Sequence, residues 1–230
     1  MRYYLCSSLV DYSKMELHNE FHWIEDLLKH ISFPCHALLV ASSPNDIEKT
    51  RRYAQEIVDV MNKHNLCLSG FDVLDRTSAK STKEFIEKAD IIIAMGGHVP
   101  TQNAFFQEID LKKHLQNFNG IWIGSSAGSM NSATLVYAQP ELKGEVIDSM
   151  YQRFVPGLGI TEKMILPHYS SWKNEVIDGF RLLEDVTYPD SQGHTFYLME
   201  DGSYVFGDIE EEIEEVVGEY YILRDRVIVQ

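Results

Sequence analysis

The chain has 230 residues, 44% of them hydrophobic and 24% charged, a balance that excludes general disorder and suffices for one well-packed domain. A formal charge of -15 excludes the basic footprint that nucleic acid or an anionic membrane requires, and an anionic ligand would need a local cation to offset it. Three widely spaced cysteines, Cys6, Cys35 and Cys67, read as buried thiols of a reducing compartment, not as a disulfide frame or a metal site.

Through residue 135, short apolar runs alternate with longer amphipathic ones. Strands are expected over 3–9, 37–42, 67–74, 91–95 and 121–123, and helices over 20–30, 46–62, 82–88 and 102–116. Pro44-Asn45-Asp46 is a start signal for the second of these helices. Such alternation implies parallel strands joined by crossover helices. The expected fold class is therefore α/β, a doubly wound, mostly parallel sheet with helices on both faces. Beyond residue 135 a helix is expected over 172–183 and strands over 196–199, 203–206, 220–223 and 227–229. Turn residues at Asp201-Gly202 and Arg224-Asp225-Arg226 suggest hairpins, hence antiparallel strands in the C-terminal third. The acidic stretch 208–215 reads as a solvated face or loop. No linker or internal repeat divides the chain, so residues 1–230 are expected to form a single α/β domain. The N-terminus lacks the apolar core of a signal peptide, and no apolar run nears the roughly 18 residues of a membrane helix, which points to the cytoplasm.

The strand at 121–123 runs into Gly124-Ser125-Ser126-Ala127-Gly128, a serine flanked by glycines. On a sharp strand-to-helix turn this pattern forms a nucleophile elbow, lifting the Ser126 hydroxyl clear of the sheet while the Ala127 amide points at an oxyanion. The same residues would also serve as a plain helix N-cap. A serine hydroxyl needs a base, and His168 ends the apolar run Met164-Ile165-Leu166-Pro167, a strand-end position typical of catalytic groups. His18 and His22 lie four apart, but Glu20 stands between them where a zincin helix requires glutamate directly after the first histidine. No metal or other cofactor is expected. Gly96-Gly97, followed by His98, lets the backbone approach a ligand and suits a second oxyanion donor. For the acid that would orient His168, Glu200 ends a predicted strand downstream, and Glu141 is its rival.

In this order the residues resemble the peptidase E family of serine peptidases, the S51 group that contains aspartyl dipeptidase. The resemblance rests on the strand ending in Gly96-Gly97, the Gly124–Gly128 segment, Leu166-Pro167-His168, and Leu198-Met199-Glu200-Asp201-Gly202. It implies a fold like that of class I glutamine amidotransferases, with Ser126 as nucleophile and His168 as base. The oxyanion hole would be formed by the amides of Ala127 and Gly97, with Gly96 beside them. It further implies hydrolysis of small peptides through an acyl-enzyme, with a preference for amino-terminal aspartate. Such a preference needs a cation, for which Arg153, Lys163 and Lys173 are candidates, with His98 as a further substrate contact. An esterase or amidase with the same nucleophile, or a peptide-binding member without turnover, are the alternatives. A small peptide is the expected partner and a homodimer is compatible with the reading. The chain departs from the family after the glycines, where His98-Val99-Pro100-Thr101-Gln102-Asn103 replaces an Asn-Thr-Phe-Gln-like sequence.

Overall fold

The computed structural model describes residues 1–229. Five strands, β1 (Arg2–Cys6), β2 (Cys35–Val40), β3 (Leu68–Leu74), β4 (Ile91–Ala94) and β5 (Ile121–Ser125), run parallel in the spatial order β1–β5–β4–β2–β3. The β4 sequence Ile91-Ile92-Ile93-Ala94 is buried throughout, as a strand covered on both faces must be. Helices α1 (Trp23–His30), α2 (Ile47–Lys63), α3 (Thr82–Lys88), α4 (Val99–Glu108) and α5 (Leu111–Leu115) occupy the connections. In α2 the Asp46 side chain accepts a hydrogen bond from the Lys49 amide, which caps the first turn, and Ala54, Ile57, Val58 and Met61 bury one face at helical spacing.

Beyond α6 (Ala127–Met130) the chain builds a second sheet and returns to the first. β6 (Met164–Leu166) pairs in parallel with β7 (Thr195–Met199), whereas β8 (Tyr204–Asp208) lies antiparallel on β1 and β9 (Ile213–Val217) lies antiparallel on β8. β10 (Tyr220–Arg224) then pairs with β7 and β11 (Val227–Ile228) with β10, both antiparallel. The large sheet therefore has seven strands and the smaller one four. Two hydrophobic cores result, and α6, buried at every residue, contributes Ala127 and Met130 to the second of them. The elbow is thus gripped from both sides.

Several expectations are corrected. The helix expected over 102–116 starts earlier, at Val99, and breaks in two where Asp110 takes a left-handed conformation, φ 55°. Over 172–183 the helix α7 (Tyr169–Trp172) stops at Trp172; Val176–Ile177 then pairs with Phe180–Arg181 across Asp178-Gly179, whose φ values of 55° and 86° turn the chain back, and helical backbone resumes only at Leu182, in a π-helical segment over Leu182–Thr187. Asp201-Gly202 is not a hairpin, because β7 belongs to the small sheet and β8 to the large one. Cys67 is exposed, whereas Cys6 and Cys35 are buried. Part of the acidic stretch is strand β9, where Glu214 reaches inward to Tyr3 and Lys163. Among the described residues, no helix is long and apolar enough to cross a membrane.

Candidate active site

β5 ends at Ser125 and α6 begins at Ala127, so Ser126 alone makes the turn, at φ 50° and ψ -112°. A non-glycine residue held there stores about 1–3 kcal/mol of strain, which the surroundings must offset. The Ser126 amide donates to the Cys6 carbonyl at 3.1 Å, and its carbonyl accepts from the Met130 amide at 3.0 Å. Gly128 has no space for a side chain: a Cβ there would fall 2.2 Å from the Ala94 carbonyl oxygen of β4. This contact lets α6 pack directly on the sheet.

His168 follows β6 and Pro167, in a left-handed conformation at φ 60° and ψ 33°. Its Nε2 lies 2.8 Å from Ser126 Oγ and its Nδ1 lies 2.6 Å from Asp201 Oδ1. Ser7, fully buried at the end of β1, steadies both partners. Its hydroxyl oxygen accepts from the His168 amide at 2.9 Å and lies 3.0 Å from Asp201 Oδ1, to which it donates. Burial pushes the Asp201 carboxyl up, but hydrogen bonds from His168 and Ser7 outweigh it and hold the group below its ordinary value. Ser126 Oγ, both imidazole nitrogens of His168 and the Asp201 carboxylate thereby form one hydrogen-bonded line.

The carboxylate on His168 is Asp201 and not Glu200. The two lie in a turn beyond β7, closed by the Ser203 amide on the Glu200 carbonyl at 3.1 Å, and Glu200 turns away to accept from Ser170 Oγ at 2.7 Å and the Ser170 amide at 3.2 Å. Glu141 lines a cavity beside Ser126 and His168, but both imidazole nitrogens are already engaged. The cavity wall takes the Glu141 carboxyl partly out of water and pushes it up, opposed by His98 and reinforced by Glu145, while the residue keeps an exposed surface.

The loop after β4 borders the nucleophile. A Cβ on Gly96 would lie 3.2 Å from Ser126 Cβ, and one on Gly97, whose φ is 154°, would lie 2.4 Å from Ser42 Oγ. Buried amides tie this loop to α6 and the residue after it. Gln102 Nε2 donates to the Met95 carbonyl at 2.7 Å, Asn131 Nδ2 donates to Gln102 Oε1 at 3.1 Å, and Asn103 Nδ2 donates to Asn131 Oδ1 at 3.0 Å. Ala127, as the first residue of α6, has an amide with no acceptor inside its own helix. Ala127 follows Ser126 directly in the chain, and Gly97 lines the same cavity as Ser126.

The side chains expected to contact substrate are engaged elsewhere. His98 is held by Thr101 Oγ1 at 2.7 Å and Glu145 Oε1 at 2.8 Å, and Arg153 is paired with Asp190 at 2.9 Å. Lys163 pairs with Glu214, and the Lys173 ammonium lies 5.2 Å from the centroid of the Tyr169 ring. None of the four lines either cavity that opens at Ser126 and His168. A larger cavity of about 630 Å³ lies beside Ala89 and Gly120, where β4 and β5 begin, so at the opposite end of the sheet from the nucleophile. Sequence reasoning missed Asp201 and Ser7. Asp201 adjoins Glu200, the acid expected from the sequence, and Ser7 is an ordinary hydroxyl at a strand end.

The profile of peptidase family S51 matches residues 13–212. No curated protein matches the chain in sequence. Among solved structures, the chain is similar to a peptidase from an acI-B1 Actinobacterium, at 19% identity and a TM-score of 0.65, covering 97% of this chain and 91% of that one. It is also similar to a putative peptidase E protein from Listeria monocytogenes EGD-e, at 16% identity and a TM-score of 0.61, covering 94% of this chain and 98% of that one. These likenesses establish the fold, and the family match extends over most of the sequence. The chain belongs to peptidase family S51 and is a serine-type peptidase.

Proposed function

We propose that the chain hydrolyses small peptides through Ser126, His168 and Asp201. The observation that carries this reading is the continuous hydrogen-bonded line from Ser126 Oγ through both nitrogens of His168 to Asp201 Oδ1, at 2.8 and 2.6 Å. Ser126 Oγ attacks the scissile carbonyl carbon while His168 Nε2 takes its proton, and Asp201 steadies the resulting imidazolium. The tetrahedral oxyanion is met by the amides of Gly97 and Ala127. Collapse expels the amine, which takes the proton from His168 and leaves an acyl ester on Ser126. Water, giving its proton to Nε2, attacks that ester and regenerates the hydroxyl.

Support for a preference for amino-terminal aspartate is weaker, because Arg153 and Lys163, two of the cations considered for it, are ion-paired outside the cleft. Purified Ser126→Ala, assayed on peptides that the wild type cleaves, should lose turnover by a factor on the order of 10⁶. Full activity in this variant would remove Ser126 from the mechanism. A parallel screen of ester substrates separates a peptidase from an esterase built on the same groups.

A further inference from the structure

Two cavities meet at Ser126 and His168, and their remaining charged groups are of opposite sign. The first, about 330 Å³, has apolar walls that include Met130, Trp172 and Leu182, and its charged lining groups besides His168 are Glu141 and Glu175. The second, about 410 Å³, is bordered by Val10, Tyr12 and Tyr53, and its charged lining group besides His168 is Lys49. The neighbouring acids are already committed. Glu145 accepts from His98 and from the amides of Glu141 and Leu142, Glu200 accepts from Ser170, and Asp201 serves His168. Glu141, Glu175 and Lys49, in contrast, form no ion pair among the described residues, and the Lys49 ammonium rests 5.6 Å from the centroid of the Tyr53 ring. Carboxyl groups on one side and an ammonium on the other, none of them ion-paired, thus flank Ser126. A short unblocked peptide at neutral pH carries the complementary pattern, an ammonium at one end and a carboxylate at the other.

On the peptidase reading above, we propose that the cleft binds a short free peptide in one orientation, amino group toward Glu141 and Glu175 and carboxylate against Lys49. Ser126 is then presented with the bond that follows the amino-terminal residue. The same polarity sets a side-chain preference at that residue. No lysine or arginine lines the Glu141 cavity, and an aspartate side chain there would face two carboxylates in a molecule that is already strongly negative. A lysine or arginine side chain would lay its apolar stem along Trp172 and Leu182 and bring its charge to the glutamates.

The test is kcat/KM for dipeptides that share a second residue and begin with Ala, Lys or Asp. Each is assayed free, N-acetylated and C-amidated, with the wild type, Glu141→Gln and Lys49→Met, all checked for folding by thermal melts. Either blocking group should lower wild-type kcat/KM by about tenfold, mainly through KM, and the order of preference should be Lys, then Ala, then Asp. In Lys49→Met the free-acid-over-amide ratio should fall to about one while the free-amine-over-acetyl ratio persists, and Glu141→Gln should do the reverse. Turnover indifferent to both blocking groups, or fastest with Asp first, would overturn this assignment and leave the peptidase reading standing. No turnover of any peptide and no reaction of Ser126 with a fluorophosphonate would overturn both.

Discussion

At the residue scale, the choice of orienting acid rests on one step along the chain. Glu200 and Asp201 are adjacent, yet their carboxylates serve Ser170 and His168 respectively. Asp201→Asn leaves the shape intact but presents His168 Nδ1 with an amide that can donate, favouring the wrong tautomer; kcat should fall on the order of 10⁴-fold. Glu200→Gln removes a contact to Ser170 and should stay within about tenfold of wild type. Steady-state kinetics of the two variants side by side check this, and the reverse order would restore Glu200 to the site. Ser126 and His168 were legible in the sequence because their neighbours are distinctive, glycines around one and a proline before the other. Asp201 was not, since an acidic pair before a glycine does not reveal which carboxylate faces inward. Ser7 was hidden for a related reason: its partners lie more than 160 positions away and only the fold brings them to it.

At the element scale, the elbow works because α6 touches the sheet without a side chain between them. Gly128→Ala would drive a methyl into the Ala94 carbonyl and push α6 away from β4, displacing Ser126 with it. A loss of about 1–3 kcal/mol in stability is expected, together with a fall in kcat larger than any change in KM. Denaturant unfolding and kinetics on the same preparation would show both. The parallel strands were legible from runs such as Ile91-Ile92-Ile93, whose burial follows from composition alone. The region 172–183 was not, because apolar residues at near-helical spacing there are divided between the end of α7, a two-stranded ribbon and the start of a π-helical segment at Leu182. The Asp178-Gly179 turn decides the matter, and the Asp178 carboxylate is fixed by the amides of Gly144 and Val146, contacts that local periodicity cannot reveal.

At the scale of the whole molecule, the two sheets are joined where the chain leaves β7 for β8, and that junction carries Asp201. The edge is fastened again at Glu214 on β9, which accepts from Tyr3 of β1 at 2.8 Å and from Thr161 and Lys163 just before β6. Burial pushes the Glu214 carboxyl up, but the bonds from Lys163, Thr161 and Tyr3 outweigh it and hold the group below its ordinary value. A carboxyl lowered by folding stabilises fully above its unfolded pKa of about 4.5 and loses that contribution as pH falls toward the folded value. Glu214→Gln should therefore cost about 1–3 kcal/mol at pH 7 and progressively less below pH 4.5, as urea denaturation at several pH values would show. Glu141 has the opposite sign: folding raises its carboxyl, so its charge opposes folding as pH rises above about 4.5, an effect damped by the residue's exposure to solvent.

The central claim is that the fold activates Ser126, and covalent capture tests it most directly. The protein is incubated with a fluorophosphonate, digested, and the adduct located by mass spectrometry. The account predicts a single adduct on Ser126 that is absent in Ser126→Ala and strongly slowed in His168→Ala. An unlabelled Ser126 in folded wild-type protein, or equal labelling with and without His168, would contradict it.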